Sequence, residues 1–192
     1  MVKAIIFDVF GVLITDALGP MIEALRVSNP GGAAKIDGLV AATSRNEISR
    51  QDFTEQASAI LGIMPDELRT QVDAGEAKNA ALLEFIKTLR PKYKIAVLSN
   101  ISVGAFERRF SSAEIQEYFD VVVPSGAIGY IKPEPEAYLI TAERLGAEPS
   151  ECIMVDDREV CCEGAQAVGM QAIMYQSLAM LQDELSKQGI RA

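Results

Sequence analysis

Five short runs of uninterrupted apolar residues constrain what this chain can fold into: Ala4-Ile5-Ile6-Phe7, Ile95-Ala96-Val97-Leu98, Val121-Val122-Val123, Cys152-Ile153-Met154-Val155 and Ala172-Ile173-Met174-Tyr175. A strand with one wet face alternates polar and apolar residues, whereas a strand covered on both faces has no reason to. None of the five alternates, so each is expected to be a strand of a parallel sheet covered by helices. Segments between them carry apolar residues at helical spacing, as in Ala80, Leu83, Ile86 and Leu89, and in Ala137, Ile140, Ala142 and Leu145. Strand and helix alternate, which predicts an α/β fold with a doubly wound parallel sheet.

One interval breaks the alternation. From Thr15 to Gly75 there is no strand-like run, but Met21-Ile22-Leu25, Ile36-Leu39-Val40 and Phe53-Ala57-Ile60-Leu61 recur at helical spacing. Ser49 followed by Asp52 has the pattern of a capped helix start. Pro30-Gly31-Gly32 and Gly62-Ile63-Met64-Pro65 are expected to break the helices. The expected organisation is an α/β core made of residues 1–14 and 76–192, with a small helical insertion over 15–75.

Composition narrows the chemistry. At 192 residues the chain is long enough to bury a core without staples. Its three cysteines, Cys152, Cys161 and Cys162, have no C-x-x-C spacing, which suggests neither a disulfide framework nor a thiolate zinc site. The apolar run near the amino terminus is too short for a signal sequence or a membrane span, and with the free cysteines this leads us to expect a cytoplasmic protein. A formal charge of −9 without a basic cluster argues against nucleic acid and anionic membranes as partners. There is no histidine, which excludes Ser-His triads, histidine metal sites and imidazole acid-base catalysis.

In an open parallel sheet, ligands collect beyond the carboxyl ends of the strands. The first run delivers Asp8 there, the second Ser99 and Asn100, and the fourth Asp156 and Asp157; the third leads through Ser125 and Gly126 to Lys132. Three carboxylates on one edge suit a hard divalent cation such as magnesium. Lys132 and the cation would neutralise a phosphoryl group whose oxygens are held by Ser99, Asn100 and backbone amides. A carboxylate with an ordinary pKa near ~3.9 is ionised at neutral pH and can attack phosphorus. Taken singly these residues have plainer readings: Asp8 beside Gly11 as a turn residue, Lys132 as a solvated loop lysine, Ser99-Asn100 as helix caps. Their joint placement favours chemistry.

Four motifs in order resemble the haloacid dehalogenase-like hydrolase superfamily. They are Phe7-Asp8-Val9-Phe10-Gly11-Val12-Leu13, Val97-Leu98-Ser99-Asn100, Lys132-Pro133-Glu134 with Tyr138, and Val155-Asp156-Asp157-Arg158 through Gly164-Ala165 to Gly169-Met170. The resemblance implies a Rossmann-like core with a small helical cap at 15–75 and a magnesium-dependent hydrolase of small phosphorylated molecules. It implies Asp8 as nucleophile and magnesium ligand together with the carbonyl of Phe10. Asp156 would be the third protein ligand and Asp157 an outer-shell or alternative one. Ser99 and Asn100 would bind phosphate, and Lys132 would clamp its charge.

The sequence departs from that pattern at Phe10, where most phosphatases of the superfamily carry a general-acid aspartate. General acid-base help is worth ~10²- to 10⁴-fold, so turnover is expected to be slow or confined to good leaving groups unless Asp16 or an insertion residue substitutes. An aromatic there also resembles the 2-haloacid dehalogenases, the main competing enzyme reading; the third is a degenerate, ligand- or partner-binding member. Asp156-Asp157 favours the metal-dependent phosphatase, because anions crowded beside Asp8 are costly without a cation. Neither the substrate nor the oligomeric state has a signature in the sequence.

Overall fold

The structure, a computed structural model, describes residues 1–191. Five parallel strands, β1 (Ala4–Phe7), β2 (Lys94–Ser99), β3 (Val121–Pro124), β4 (Cys152–Asp156) and β5 (Gln171–Met174), form one sheet in the order β3-β2-β1-β4-β5. Nine helices accompany them among the described residues: α1 (Leu18–Ser28), α2 (Pro30–Ser44), α3 (Arg50–Leu61), α4 (Pro65–Gly75), α5 (Ala80–Leu89), α6 (Ser112–Tyr118), α7 (Pro135–Leu145), α8 (Glu159–Ala167) and α9 (Leu178–Lys187).

The apolar runs lack alternation because both sheet faces are buried. Along β1, Ile5 and Phe7 join one cluster with Ile95, Val97, Ile153 and Val155, whereas Ala4 and Ile6 join the other with Ala96, Leu98, Cys152 and Met154. The period of two survives as a choice between two cores. After β1 the chain adds β2 and β3 on one side, then crosses to add β4 and β5 on the other. The direction reverses at the β1–β4 pair, where Phe7 is in register with Val155. A crevice opens beyond the carboxyl ends of the strands at such a switch point.

Helices α1 to α4 fill the interval without a strand. Their own fully buried apolar cluster is small, Ile22, Ala33 and Ile36. Ser49 caps α3 in a reciprocal box with Asp52, each side chain taking the other's backbone amide. The break expected at Pro30-Gly31-Gly32 is present between α1 and α2, but the three residues themselves open α2. Asn29 caps α2 through the Gly32 amide at 2.9 Å, and Pro30 occupies the first helical position, where its missing N–H costs nothing. The helix boundary lies one residue earlier, at Asn29.

The two connections to this helical segment run side by side. Asn79 N donates to Leu13 O at 2.8 Å and Thr15 N to Ala77 O at 2.9 Å, while Thr15 Oγ1 donates to Gly75 O at 2.6 Å. A second attachment lies at the end of α2, where the Ser44 hydroxyl donates to Asn100 O at 2.9 Å and the Ser125 hydroxyl to Ser44 O at 2.7 Å. Arg45 makes a two-pronged bond to Glu134, at 2.6 and 3.0 Å. No helix among the described residues is long and apolar enough to cross a membrane.

Candidate active site

Strand β1 delivers Asp8 past its carboxyl end, and Asp8 N donates to Val155 O at 2.9 Å, which fixes it beside the tip of β4. Strand β4 ends on Asp156, which is fully buried. Lys132 joins these two: its Nζ lies 2.7 Å from Asp8 Oδ1 and 2.5 Å from Asp156 Oδ2. The ammonium is almost inaccessible to solvent. Burial alone would drive its proton off, but Asp8 and Asp156 more than offset this and hold its pKa above the ordinary lysine value. Lys132 therefore carries its charge at neutral pH.

A lysine arriving from a loop needs a rigid mount. The Asn100 side chain takes the Lys132 amide at 2.7 Å on its oxygen and donates to the Lys132 carbonyl at 2.9 Å through its nitrogen. Asn100 thus spends both ends of its amide on the lysine loop, leaving one side-chain amide hydrogen and its backbone N–H for any ligand, since its carbonyl takes the Ser44 hydroxyl. Ile131 N donates to Glu134 at 2.9 Å. From the other side α8 presses close: a Cβ on Gly164 would lie 2.7 Å from Pro133 Cβ and 2.8 Å from the Tyr138 hydroxyl, so only glycine fits. Tyr138 is fully buried and donates to Cys161 O at 2.8 Å, tying α7 to α8.

Asp157 is the third carboxylate. Its side chain lies over Gly11, where a Cβ would fall 2.0 Å from Asp157 Oδ2; Gly11 also has φ of +79°, so glycine is required twice. Oxygen ligand atoms of Asp8, Asp156 and Asp157 all lie within 4.8 Å of one another. Asp157 Oδ1 is buried and finds no hydrogen-bond partner. Burial first, then the charges of Asp8 and Asp156, push the Asp157 carboxyl up to about 6. Burial likewise raises Asp8 above its ordinary range, with Lys132 opposing and Asp156 adding to the shift.

One ammonium among three clustered carboxylates leaves the site short of positive charge, and an orphaned carboxylate oxygen marks the deficit. A hard divalent cation bound by oxygen satisfies both, so the donor set fits magnesium. The Phe10 carbonyl, two residues past Asp8, accepts no hydrogen bond among the described residues.

These groups line a cavity of about 840 Å³ together with other residues from the strand tips and from α1 to α4. Ser99 reaches it with a hydroxyl that makes no hydrogen bond to protein among the described residues. Phe10 also lines it, with the Arg109 guanidinium stacked 4.9 Å from the ring centroid. Arg109 in turn grips Glu76 by two bonds of 2.6 and 2.7 Å. Asp16 is engaged too, its Oδ1 taking the amides of Leu18 and Gly19 at 3.0 Å to cap α1. Arg158 donates its amide to Asp156 at 3.0 Å and leaves its side chain exposed. Cys161 lines the wall, but burial pushes its thiol up to about 12, so it is no nucleophile at neutral pH.

A strand-tip carboxylate on β1, its lysine partner and an acidic pair on β4 are the arrangement of one hydrolase class. The chain belongs to the haloacid dehalogenase-like hydrolase family, whose model matches residues 2–169. Among curated proteins it is similar to the fructose-1-phosphate phosphatase of Escherichia coli, 27% identical over 92 residues, covering 48% of this chain and 49% of the relative. A phosphatase of Mycobacterium tuberculosis is 35% identical over 91 residues, covering 47% and 42%. The chain thus aligns with about half or less of the length of these relatives. A haloacid dehalogenase family enzyme of Bacteroides thetaiotaomicron, crystallised with magnesium and inorganic phosphate, shares the fold with a TM-score of 0.73 and 21% identity, covering 94% of this chain and 99% of that one.

Proposed function

We propose that the chain is a magnesium-dependent phosphatase of small phosphorylated molecules, with Asp8 as nucleophile and residues 15–75 acting as a cap over the site. The observation that carries this reading is the cluster of buried Asp8 and Asp156, bridged by a single ammonium, with half-buried Asp157 beside them and one Asp157 oxygen unpartnered. Such a site demands a cation and, once it holds one, attracts an anion. Asp8, the Phe10 carbonyl and Asp156 would hold magnesium, with Asp157 beside them. The bound ion supplies charge neutralisation for the phosphoryl oxygens.

Lys132 holds Asp8 in one orientation and presents its ammonium to a phosphoryl oxygen, while the free Ser99 hydroxyl and the remaining Asn100 amide hydrogen bind others. The Asp8 carboxylate attacks phosphorus, the P–O bond to the leaving group breaks, and an acyl-phosphate forms on Asp8. Water then attacks that phosphorus, the bond to Asp8 breaks, and inorganic phosphate leaves. Phe10 can neither protonate the leaving group nor accept the proton of water, and Glu76 is held by Arg109, whereas Asp16 gives only its Oδ1 to the amides of Leu18 and Gly19. With only Asp16 or solvent left to move these protons, esters with acidic leaving groups are the favoured class. Relatives named as phosphatases support the reaction type. The dehalogenase alternative, in which Asp8 attacks carbon, leaves the cation-demanding triplet without a purpose.

Incubation with 4-nitrophenyl phosphate and a 2-haloacid, each with and without magnesium, tests the reading. Phosphate release that depends on magnesium is expected. Halide release would transfer the assignment to the dehalogenase reading, and silence in both assays would leave a binding protein.

A further inference from the structure

The proposed reaction needs room for one phosphoryl group, yet the cavity of about 840 Å³ that Asp8 and Lys132 line is larger than that and is also lined by a pair of arginines, Arg50 and Arg108. A second cavity of about 470 Å³ shares Arg50, Glu76, Arg108 and Arg109 with the first, so the two meet there. The neighbouring cations have been neutralised: Arg109 is gripped by Glu76 and Arg45 by Glu134. Arg108 is different. Its side chain bonds only the Gly104 carbonyl, at 3.0 Å, and it has no ion pair among the described residues. Arg50 reaches one carboxylate, Asp73, at 3.9 Å, the outer limit of an ion pair.

Both arginines sit against local electrostatics. Arg50 is the first residue of α3, where the helix dipole disfavours a cation. Arg108 lies beside Arg109, and partial burial followed by the charges of Arg50 and Arg109 lowers its pKa below the ordinary arginine value; Glu107 and Glu76 oppose this more weakly. Nor is Arg108 on a slack loop. Phe106 and Phe110 flank it in sequence, stack with centroids 4.6 Å apart, and pack edge-on to Phe119. A chain with a net charge of −9 has carboxylates to spare, yet Arg108 has none within ion-pair distance among the described residues and Arg50 reaches one only at 3.9 Å.

Resting on the phosphatase reading, we infer that Arg50 and Arg108 form a distal anion subsite, and that the substrates are phosphomonoesters bearing a second acidic group, a carboxylate or a second phosphate. Two guanidinium groups that repel each other are relieved by an anion bound between them, and guanidinium matches both carboxylate and phosphate by paired N–H bonds. One substrate would then bridge the strand tips and α3.

The test is a series of ω-carboxyalkyl phosphates of increasing chain length, set against the matching ω-carbamoylalkyl phosphates and alkane-diol bisphosphates, with magnesium present. At the best length the acid should be preferred over its amide by about tenfold in kcat/KM, equal to about 1.4 kcal/mol. R108Q should bring that ratio close to one and R50Q should lower it. R144Q, which removes an equal charge from the exposed face of α7, should leave it as it was. The bisphosphate arm distinguishes a carboxylate-selective from a phosphate-selective subsite. Equal use of acid and amide at every length by the wild type overturns the inference, as does an R108Q defect that leaves the ratio unaltered. Calorimetric titration of D8N protein with the same acids and amides reads the subsite without turnover. A preference there with no hydrolysis by wild type would sink the phosphatase reading alone, and hydrolysis with no preference would sink only the subsite.

Discussion

At the tips of β1 and β4 the functional groups sit on strands buried on both faces, whereas α1 to α4, which form much of the facing cavity wall, have a smaller apolar cluster of their own, Ile22, Ala33 and Ile36 with partly buried neighbours. Asp8 and Asp156 follow strands whose residues are completely buried, and Lys132 is clamped by Asn100 and crowded by Gly164. The helical segment has a fully buried apolar cluster of Ile22, Ala33 and Ile36 and depends on polar attachments at Thr15, Ser44 and Arg45. The contrast fits a division of labour in which reacting groups are preorganised on the scaffold while selectivity rests on a segment with less stability to lose.

The division is broken most directly by changing the rigid side. D8N preserves shape while removing the nucleophile and one metal charge, so metal-dependent turnover should fall by on the order of 10³-fold or more with the far-ultraviolet spectrum unchanged. Turnover within tenfold of wild type would show that Asp8 is not the attacking group. K132M acts on stability as well, because it strands three carboxylates without their cation. Removing one partner of a buried ion pair costs about 3–5 kcal/mol, so its thermal midpoint should drop by many degrees. Added magnesium should recover part of that loss by binding the native state, and recover it less in wild type. Equal midpoints for K132M and wild type would mean that the charge cluster contributes nothing to the scaffold's rigidity.

Much of this rigid side was legible in the sequence because both faces of the sheet are buried. Doubly covered strands leave continuous apolar runs, and each run delivers its next residue to the same edge, which is why Asp8, Ser99 and Asp156 could be placed together. The polar attachments were not legible. Arg45 and Glu134 are 89 residues apart, and nothing in local pattern announces that a helix-end arginine will grip a residue in the lysine loop. Asn100 was read as a phosphate binder, but its side chain is largely occupied with the Lys132 backbone, a role set by the spacing of β2 and β3 and not by its neighbours in sequence. Asp16, considered as a replacement acid, caps α1 through Leu18 and Gly19, a local role that its spacing from those residues could have suggested. The break at Pro30 was legible, but its exact place was not, because proline marks both a break and a first helical turn; Asn29 before it supplies the cap that fixes the boundary.

Phe10 lies where the two sides meet, and F10D sharpens the comparison by placing an acid on the rigid one. General acid-base help is worth ~10²- to 10⁴-fold where the acid has a suitable pKa. The Arg109 guanidinium, 4.9 Å from the present ring, would pair with the new carboxylate and lower its pKa, so the gain should stay below about tenfold. It should be larger for alkyl phosphates, whose leaving groups need protonation, than for aryl ones. A uniform loss in both series would assign Phe10 to packing or substrate contact.

The smallest effect is expected at the second attachment. Arg45 and Glu134 are partly exposed, so their ion pair contributes about 1 kcal/mol or less to global stability. The Glu134 carboxyl is nonetheless held below its ordinary value, chiefly by the Arg45 bonds and then, against burial, by the Ile131 amide, so the pair is formed throughout the neutral range. R45A should therefore leave the thermal midpoint within a few degrees of wild type but speed amide exchange in α2 and α3 more than in the strands. Because Glu134 also holds Ile131, next to Lys132, a few-fold rise in KM should accompany the faster exchange. Should exchange accelerate equally in β1 and α2, the helical segment and the sheet open as one unit. Selectivity would then have to be built into the same rigid body that carries the chemistry.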